Sequence, residues 1–453
     1  MKKSIIISLA TIILFCIPIF VILHIKNASA RPNIILITID ALRPDHLGCY
    51  GYKRAASVNI DKLAKEGVLF NQAISQGSET CVSLPSLHTA TYPRTHGVYK
   101  EGFKINPSLA TLAEILAKND YLTMAITCNL KHIQGLQRGF NILFDEGDMP
   151  ADGITQKAIN WIENRRNDRF FLWIHYFDPH GPYKPPSPYN RIFLENMQKK
   201  ELPVSDSMWC GDGVIPKYAL ERGIRDINYY ISQYDGEIGF VDEQIGVLLT
   251  KMKELKLDKN LLIIISADHG EALGEHNRYF IHWLLYDEII RVPLVIKYKK
   301  IIPEGKIINR QVESIDISPT ILEILRINKP KTMQGKSILS LILRNESGPP
   351  EFAFSENARQ DDIVRECIRT PGWKLIFSGS DRGLNTSGSY ELYNLNTDPG
   401  ESRNLVNIEI EEFKFLKSKL SNWRKRIPAF EPVVSESLTE EEKNKLKSLG
   451  YLR

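Results

Sequence analysis

The chain has 453 residues, 43% of them hydrophobic and 25% charged, with a net charge of +4. That length exceeds one simple core and predicts a large domain with a smaller companion. A charge so close to balance excludes a chain-wide basic surface, so no nucleic-acid partner is expected.

The first thirty residues, "MKKSIIISLATIILFCIPIFVILHIKNASA", set two lysines before an apolar run from Ile5 to Ile25, followed by Ala28-Ser29-Ala30. This is the layout of an export signal with an A-x-A cleavage site. The run is also as long as a membrane span. Residues 1–30 are therefore expected to be either a cleaved signal or a retained anchor, with membrane attachment through residues 5–25. Lys2 and Lys3 hold the N-terminus inside, which predicts an extracytoplasmic location for the rest, periplasmic or secreted. Of the six cysteines, Cys16 lies in the apolar run and Cys49, Cys81, Cys128, Cys210 and Cys367 are scattered. No CxxC pair occurs, so no structural zinc site is expected.

Beyond residue 31, short apolar runs alternate with amphipathic segments. "NIILITID" (33–40), "YLTMAIT" (121–127), "RFFLWIHYF" (169–177), "NLLIIISAD" (260–268) and "VPLVIKY" (292–298) read as strands covered on both faces. Segments 108–119, 154–167 and 234–255 read as helices. The alternation predicts an α/β fold, a mostly parallel central sheet sandwiched by helices, over residues 31–345. In such sheets the active residues stand at the carboxyl ends of strands. Residues 300–350 read as connective. From residue 346 the pattern changes to short antiparallel strands with Gly/Ser/Asn turns, then the charged amphipathic stretch "LTEEEKNKLKSLGYLR". Residues 346–453 are expected to form a smaller α+β subdomain with a terminal helix.

Two strand ends carry acids: Asp40 closes "IILITID", and Asp268 closes "LLIIISAD" with His269 behind it. Carboxylates delivered by two distant strands can converge on one divalent cation. Oxygen ligands suit calcium or magnesium, and an imidazole extends the choice to manganese or zinc. Alone, Asp40 could equally cap the next helix, whereas the Asp268-His269 pair favours the metal reading. His175, Asp178 and His180 follow one strand, and His276 and His282 lie further on. His175 alternates into its strand and reads as core, whereas His180 precedes Gly-Pro and should face the cleft. In "ETCVSLPSLHTATYPRTHGVY" (79–99), Pro85 predicts a helix start, with Ser83 at or just before its N-terminus. There the helix dipole favours an anion, and a hydroxyl is placed to attack if a metal lowers its pKa. Ser83 as an ordinary N-cap is the competing reading.

Taken in order, "PNIILITIDALRPDHLGCYGY", "LPS…YPRTHGV", "LWIHYFDPHGPY", "YDGEIGFVDEQI", "IIISADHGEALGEH", "H…LYDEIIRVPLVI" and "ELYNLNTDPGESRNL" resemble the sulfatase family of the alkaline phosphatase superfamily across nearly the whole chain after residue 31. The resemblance implies a metal-dependent hydrolase of sulfate or phosphate esters, acting on a small molecule or glycan. It implies Asp40, Asp268 and His269 as ligands of one divalent ion, calcium foremost. It implies Ser83 as nucleophile, with His180 and His282 on the anionic ester or its leaving group. Arg43, in the Asp-x-x-Arg stretch, either supports the site or forms a structural ion pair.

Departures from the family pattern are local. Ala41 replaces a second acid. Aligning on Pro85-Ser86 puts Ser83, not Cys81, in the nucleophile position and Leu87 where the formylglycine motif has Arg, so that motif is incomplete. On this alignment the helix runs about three residues short before Tyr92-Pro93, and Tyr99-Lys100-Glu101 follows the His-Gly-Val turn. A plain serine fits phosphate chemistry, which leaves two alternatives: a phosphodiesterase or phosphoryl transferase on envelope or lipid phosphates, or a non-catalytic glycan-binding protein.

Overall fold

A computed structural model describes residues 31–434 apart from 55, 129–132, 146, 148, 195–199, 208–210, 345–351, 359–362, 381–386 and 432. The leader, Cys210, the boundary at 345 and the C-terminal amphipathic stretch lie outside the described residues. Among the described residues no helix is long and apolar enough to cross a membrane, and Cys49, Cys81 and Cys367 are free thiols.

The main sheet is built from β1 (Asn33–Ile39), β2 (Val68–Phe70), β3 (Leu122–Thr127), β4 (Ile142–Asp145), β5 (Phe170–Tyr176), β6 (Leu261–Ala267), β7 (Leu294–Lys297) and β8 (Lys306–Ile308). Their spatial order is β8-β2-β7-β6-β1-β5-β3-β4. The pairings make β7 the one reversed strand of the eight. The strands expected from continuous apolar runs are the central ones. Every residue of β5 and β6 is buried, since helices cover both faces. Each buried isoleucine there contributes roughly 2 kcal/mol relative to exposure.

Helix α1 (Thr80–Thr89) follows an extended Glu79. Helix α2 (Ala151–Arg165) buries Ile154, Ala158 and Ile162, one four-residue stripe, and packs on α3 (Ile227–Glu254). The Asp226 carboxylate caps α3 by accepting from the Asn228 N–H at 3.1 Å. Two local expectations are revised. Helix α1 begins five residues before Pro85, which sits inside it, because the Val82 and Ser83 amides already donate to the Glu79 carbonyl, both at 2.9 Å. The connective reading of 300–350 missed β8, which extends the main sheet, and helices at Ile317–Ile324 and Leu339–Arg344.

The smaller antiparallel sheet joins β9 (Ala353–Ala358), β10 (Val364–Arg369), β11 (Trp373–Gly379) and β12 (Gly388–Asn394) in sequence order. Strand alternation splits its apolar residues between two partners. Ala353, Cys367, Ile376 and Tyr393 pack on Ile74, Ala272, Ile281 and Ile289 of the larger unit. Phe354, Ile368, Leu375 and Leu392 meet Leu416, Leu420 and Trp423 of α4 (Ile410–Arg426). On the first of these faces a buried ionic network joins the two units. Arg369 donates to Asp287 at 2.9 and 2.7 Å. Lys374 reaches Asp287 at 2.9 Å and Glu401 at 3.0 Å, and the Asp287 N–H donates to Glu401 at 2.5 Å.

Candidate active site

Three adjacent parallel strands deliver one cluster. Strand β1 lies between β5 and β6, with Thr38 opposite both His175 and Ser266. Residues in register share a face, and residues two further along share it too. Asp40 and Asp268 therefore emerge on the His175 face, just past the carboxyl ends of their strands. One ligand atom from each of Asp40, His175 and Asp268 lies within 4.8 Å of the others. His175 Nε2 stands 3.7 Å from Asp40. His269 Nε2 stands 3.4 Å from Asp40 and 3.5 Å from Asp268. All four side chains are buried.

Those separations exceed ordinary hydrogen-bond lengths. No hydrogen bond reaches His175 Nε2 or Asp268 Oδ2, although both atoms are buried. Carboxylate and imidazole lone pairs converging in a dry pocket suit a divalent cation, whose ligands stand about 2.0–2.6 Å from it. The donor set thus fits the metal implied by the sequence. It contains the expected Asp40, Asp268 and His269, and it adds His175.

The charges are consistent with that role. Burial opposes ionisation of Asp40, but His180, His175 and His269 outweigh it and hold its carboxyl well below the usual range. Asp268 is pushed the other way, by burial and then by the Asp40 charge. Burial disfavours charge on His269 too, yet Asp268 and Asp40 raise its pKa. The Asp268 carboxylate also accepts from the N–H groups of His269 at 2.8 Å and Ala41 at 3.2 Å. Ala41 sits at φ 54°, a left-handed backbone that aims its amide there at a conformational cost of about 1 kcal/mol. It supplies no carboxylate where the family pattern has one.

Ring orientations follow from hydrogen bonds. A carbonyl only accepts, so His269 donates its Nδ1–H to Gly270 at 2.8 Å, and His180 donates its own to Gly181 at 2.8 Å. In each case Nε2 keeps a lone pair directed away from that carbonyl. His175 Nδ1 meets Thr38 Oγ1 at 2.8 Å, which also accepts from Trp173 Nε1 at 2.9 Å. His282 stacks on His269 with centroids 4.4 Å apart, and His180 lies edge-on to His282 at 5.2 Å. His282 is pushed down to about 4 by burial and then by the His269 charge, so it is neutral near pH 7.

Gly270 fixes this corner. A Cβ there would lie 2.1 Å from the Glu288 carbonyl oxygen. The Gly270 N–H donates to Ile289 at 2.6 Å. Only glycine lets the strand-end loop approach residues 287–290 so closely.

Arg43 and Ser83 are occupied elsewhere. The Arg43 guanidinium donates to Asp45 at 3.0 and 2.7 Å, to the Glu271 carbonyl at 3.0 Å, and pairs with Glu275 at 2.8 Å. It ties the loop after β1 to the loop after β6, which matches the structural ion pair among its two readings. Ser83 Oγ lies in the first turn of α1 and donates to the Glu79 carbonyl at 3.0 Å. The side chain of α1 that meets the cluster is Thr80, whose Oγ1 is 3.2 Å from His269 Nε2. Sequence reasoning missed Thr80 and His175.

Residues 32–327 match the family model for sulfatases, and residues 274–426 match one for the C-terminal region of N-sulphoglucosamine sulphohydrolase. An arylsulfatase of Clostridium perfringens is 25% identical over 84% of this chain and 91% of its own. A protein solved with its substrate D-glucosamine-2-N,6-O-disulfate superposes with a TM-score of 0.74 at 21% identity, covering 87% of this chain and 98% of that one. The phosphonate monoester hydrolase of Agrobacterium radiobacter superposes with a TM-score of 0.73 at 19% identity, covering 90% and 100%.

Proposed function

Because the chain belongs to the sulfatase family, we propose that it is a metal-dependent, extracytoplasmic hydrolase of sulfate or phosphate esters carried by a small molecule or glycan. The observation that carries this reading is the buried cluster of Asp40, His175, Asp268 and His269, with atoms left without hydrogen bonds and two further imidazoles beside it. Asp40 and Asp268 would hold the cation with His269, His175 being the fourth donor within reach. A bound divalent ion would neutralise the ester's charge and polarise it toward attack. Calcium suits the two carboxylates best, and the imidazoles also admit magnesium, manganese or zinc.

The remaining steps belong to the chain's own groups. Helix α1 aims its N-terminus at the cluster, where its dipole favours the anionic group. His180 and His282 contact the anionic ester or its leaving group and orient it. The N-terminal thirty residues support export, with the anchor or cleaved-signal alternatives of the sequence reading. A sugar substrate is suggested by the disulfated glucosamine in one structural neighbour.

A second reading, a phosphodiesterase or phosphoryl transferase of envelope phosphates, draws on Leu87, which breaks the formylglycine motif, and on a phosphonate hydrolase of like fold. One experiment tests both: metal analysis of the purified protein, then turnover of aryl sulfate, aryl phosphate and bis-aryl phosphate esters. About one equivalent of divalent metal and turnover of at least one ester are expected. Protein that takes up no metal and cleaves none of the three would sink the hydrolase reading.

A further inference from the structure

Ser83, the hydroxyl first expected to attack, is turned back along its own helix toward the Glu79 carbonyl. Thr80 stands one turn earlier, at the first position of the ten-residue α1, and is fully buried. Its Oγ1 faces His269 Nε2 at 3.2 Å. Because His269 gives its Nδ1–H to Gly270, Nε2 is the ring atom that faces the cluster, and the Thr80 hydroxyl stands beside it. The hydroxyl therefore stands at the edge of the cluster, at the N-terminal end of α1. Cys81 is a poor competitor. Burial and then the charges of Glu79 and Glu101 push its thiol well up, away from the reactive thiolate.

Resting on the hydrolase reading above, we infer that Thr80, not Ser83 or Cys81, supplies the attacking oxygen, and that phosphate esters are cleaved in preference to sulfate esters. The three-residue shortfall between Ser83 and Tyr92 equals the offset from Ser83 to Thr80. The substrate preference follows from the side chain. Formylglycine needs a primary β-carbon that oxidises to an aldehyde. The Thr80 β-carbon bears a methyl group and would give only a ketone, so the attacking group is a single alcohol. In the first step the Thr80 Oγ1–P bond forms, and the P–O bond to the leaving alcohol breaks with its electron pair. The Thr80 proton ends on that alcohol. Water then attacks the phosphothreonine at phosphorus, returns a proton to Thr80 Oγ1 and releases phosphate. A threonine sulfate lacks the second hydroxyl through which an aldehyde hydrate expels sulfate, so it clears slowly.

The test is mass spectrometry of the metal-loaded, full-length protein, acid-quenched during turnover of the aryl phosphate. A phosphoryl group on Thr80 is expected. Thr80→Ala should lose at least about 10³-fold in turnover, whereas Thr80→Ser and Ser83→Ala stay within about tenfold. Aryl phosphate should also outpace aryl sulfate. If turnover proceeds with no label, the Thr80→Ala and Thr80→Ser pair decides, and equal activity of the two overturns the assignment. A phosphoryl or sulfo group on Ser83 or Cys81, or an aldehyde at either, overturns it while leaving the hydrolase reading intact. Faster aryl sulfate turnover removes the phosphate preference. A wild-type protein that neither turns over nor labels with any ester removes the hydrolase reading, and Thr80 with it.

Discussion

Two places in this molecule bury charge on a similar scale, and they do it in opposite ways. At the junction between the sheets, Asp287 and Glu401 meet Arg369 and Lys374 at 2.7–3.0 Å, cation against anion. At the strand ends, Asp40 and Asp268 meet His175 and His269 at 3.4–3.7 Å, beyond ordinary hydrogen-bond lengths. The first arrangement satisfies itself. The second leaves ligand atoms of Asp268 and His175 without hydrogen bonds in a buried place where a cation would fit, and burying carboxylate charge costs several kcal/mol unless it is neutralised. Buried charge locked in close cation–anion contacts marks structure, and buried carboxylates and imidazoles converging at longer range mark chemistry.

The sharpest way to break that contrast is to remove one member of each. Asp268→Ala should lower turnover by at least about 10³-fold and leave the melting temperature of the metal-free protein unchanged or raised, because a buried repulsion disappears. Asp287→Ala should instead cost about 3–5 kcal/mol in a denaturant titration, since Arg369 is left buried without its carboxylate and Lys374 keeps only Glu401. If Asp268→Ala unfolded the protein while Asp287→Ala did not, the contrast would be reversed. A chelator sharpens it further. Stripping the metal should cost the wild type about 2–4 kcal/mol of apparent stability and cost Asp268→Ala close to nothing.

The smallest effect concerns a carboxyl between the two regions. Burial, and then the Glu401 charge, raise Glu288 from its ordinary range to about 8, against the pull of Arg43. A folded pKa above the unfolded one gives stability that is complete below about 4.5 and fades as pH rises through about 8. Glu275 adds to the same push, and His276 lies 3.7 Å away. Glu288→Gln should flatten the stability profile between pH 5 and 8, by on the order of 1 kcal/mol. An unchanged slope would show that Glu288 is ionised in the folded protein.

Much of this was readable from residues alone, for stated reasons. Strands buried on both faces must be apolar throughout, so β1, β5 and β6 announce themselves, and so do the acids at their ends. His175 was read as core because it alternates inward, and it is indeed buried. Being core and facing a cation are compatible once three strands share one face, and that requires knowing which strands are neighbours. Thr80 was hidden by a rule about proline. Pro85 is favoured at a helix start, but here it lies in the body of α1, so the hydroxyl at the true start went unweighed. Helix Ile317–Ile324 was lost in a region that reads as linker because its periodic stretch spans barely two turns.

The close approach at Gly270 has a consequence for how the protein tolerates change. The residue after His269 is fastened to residues 288 and 289 by a hydrogen bond and by the absence of a side chain. Those residues adjoin Asp287, the hub of the junction network. Selecting variants of that segment for heat resistance would therefore also select, unseen, for the tilt of an imidazole ring. Such a search should return sturdy proteins with impaired chemistry, altered at positions that never touch the ester.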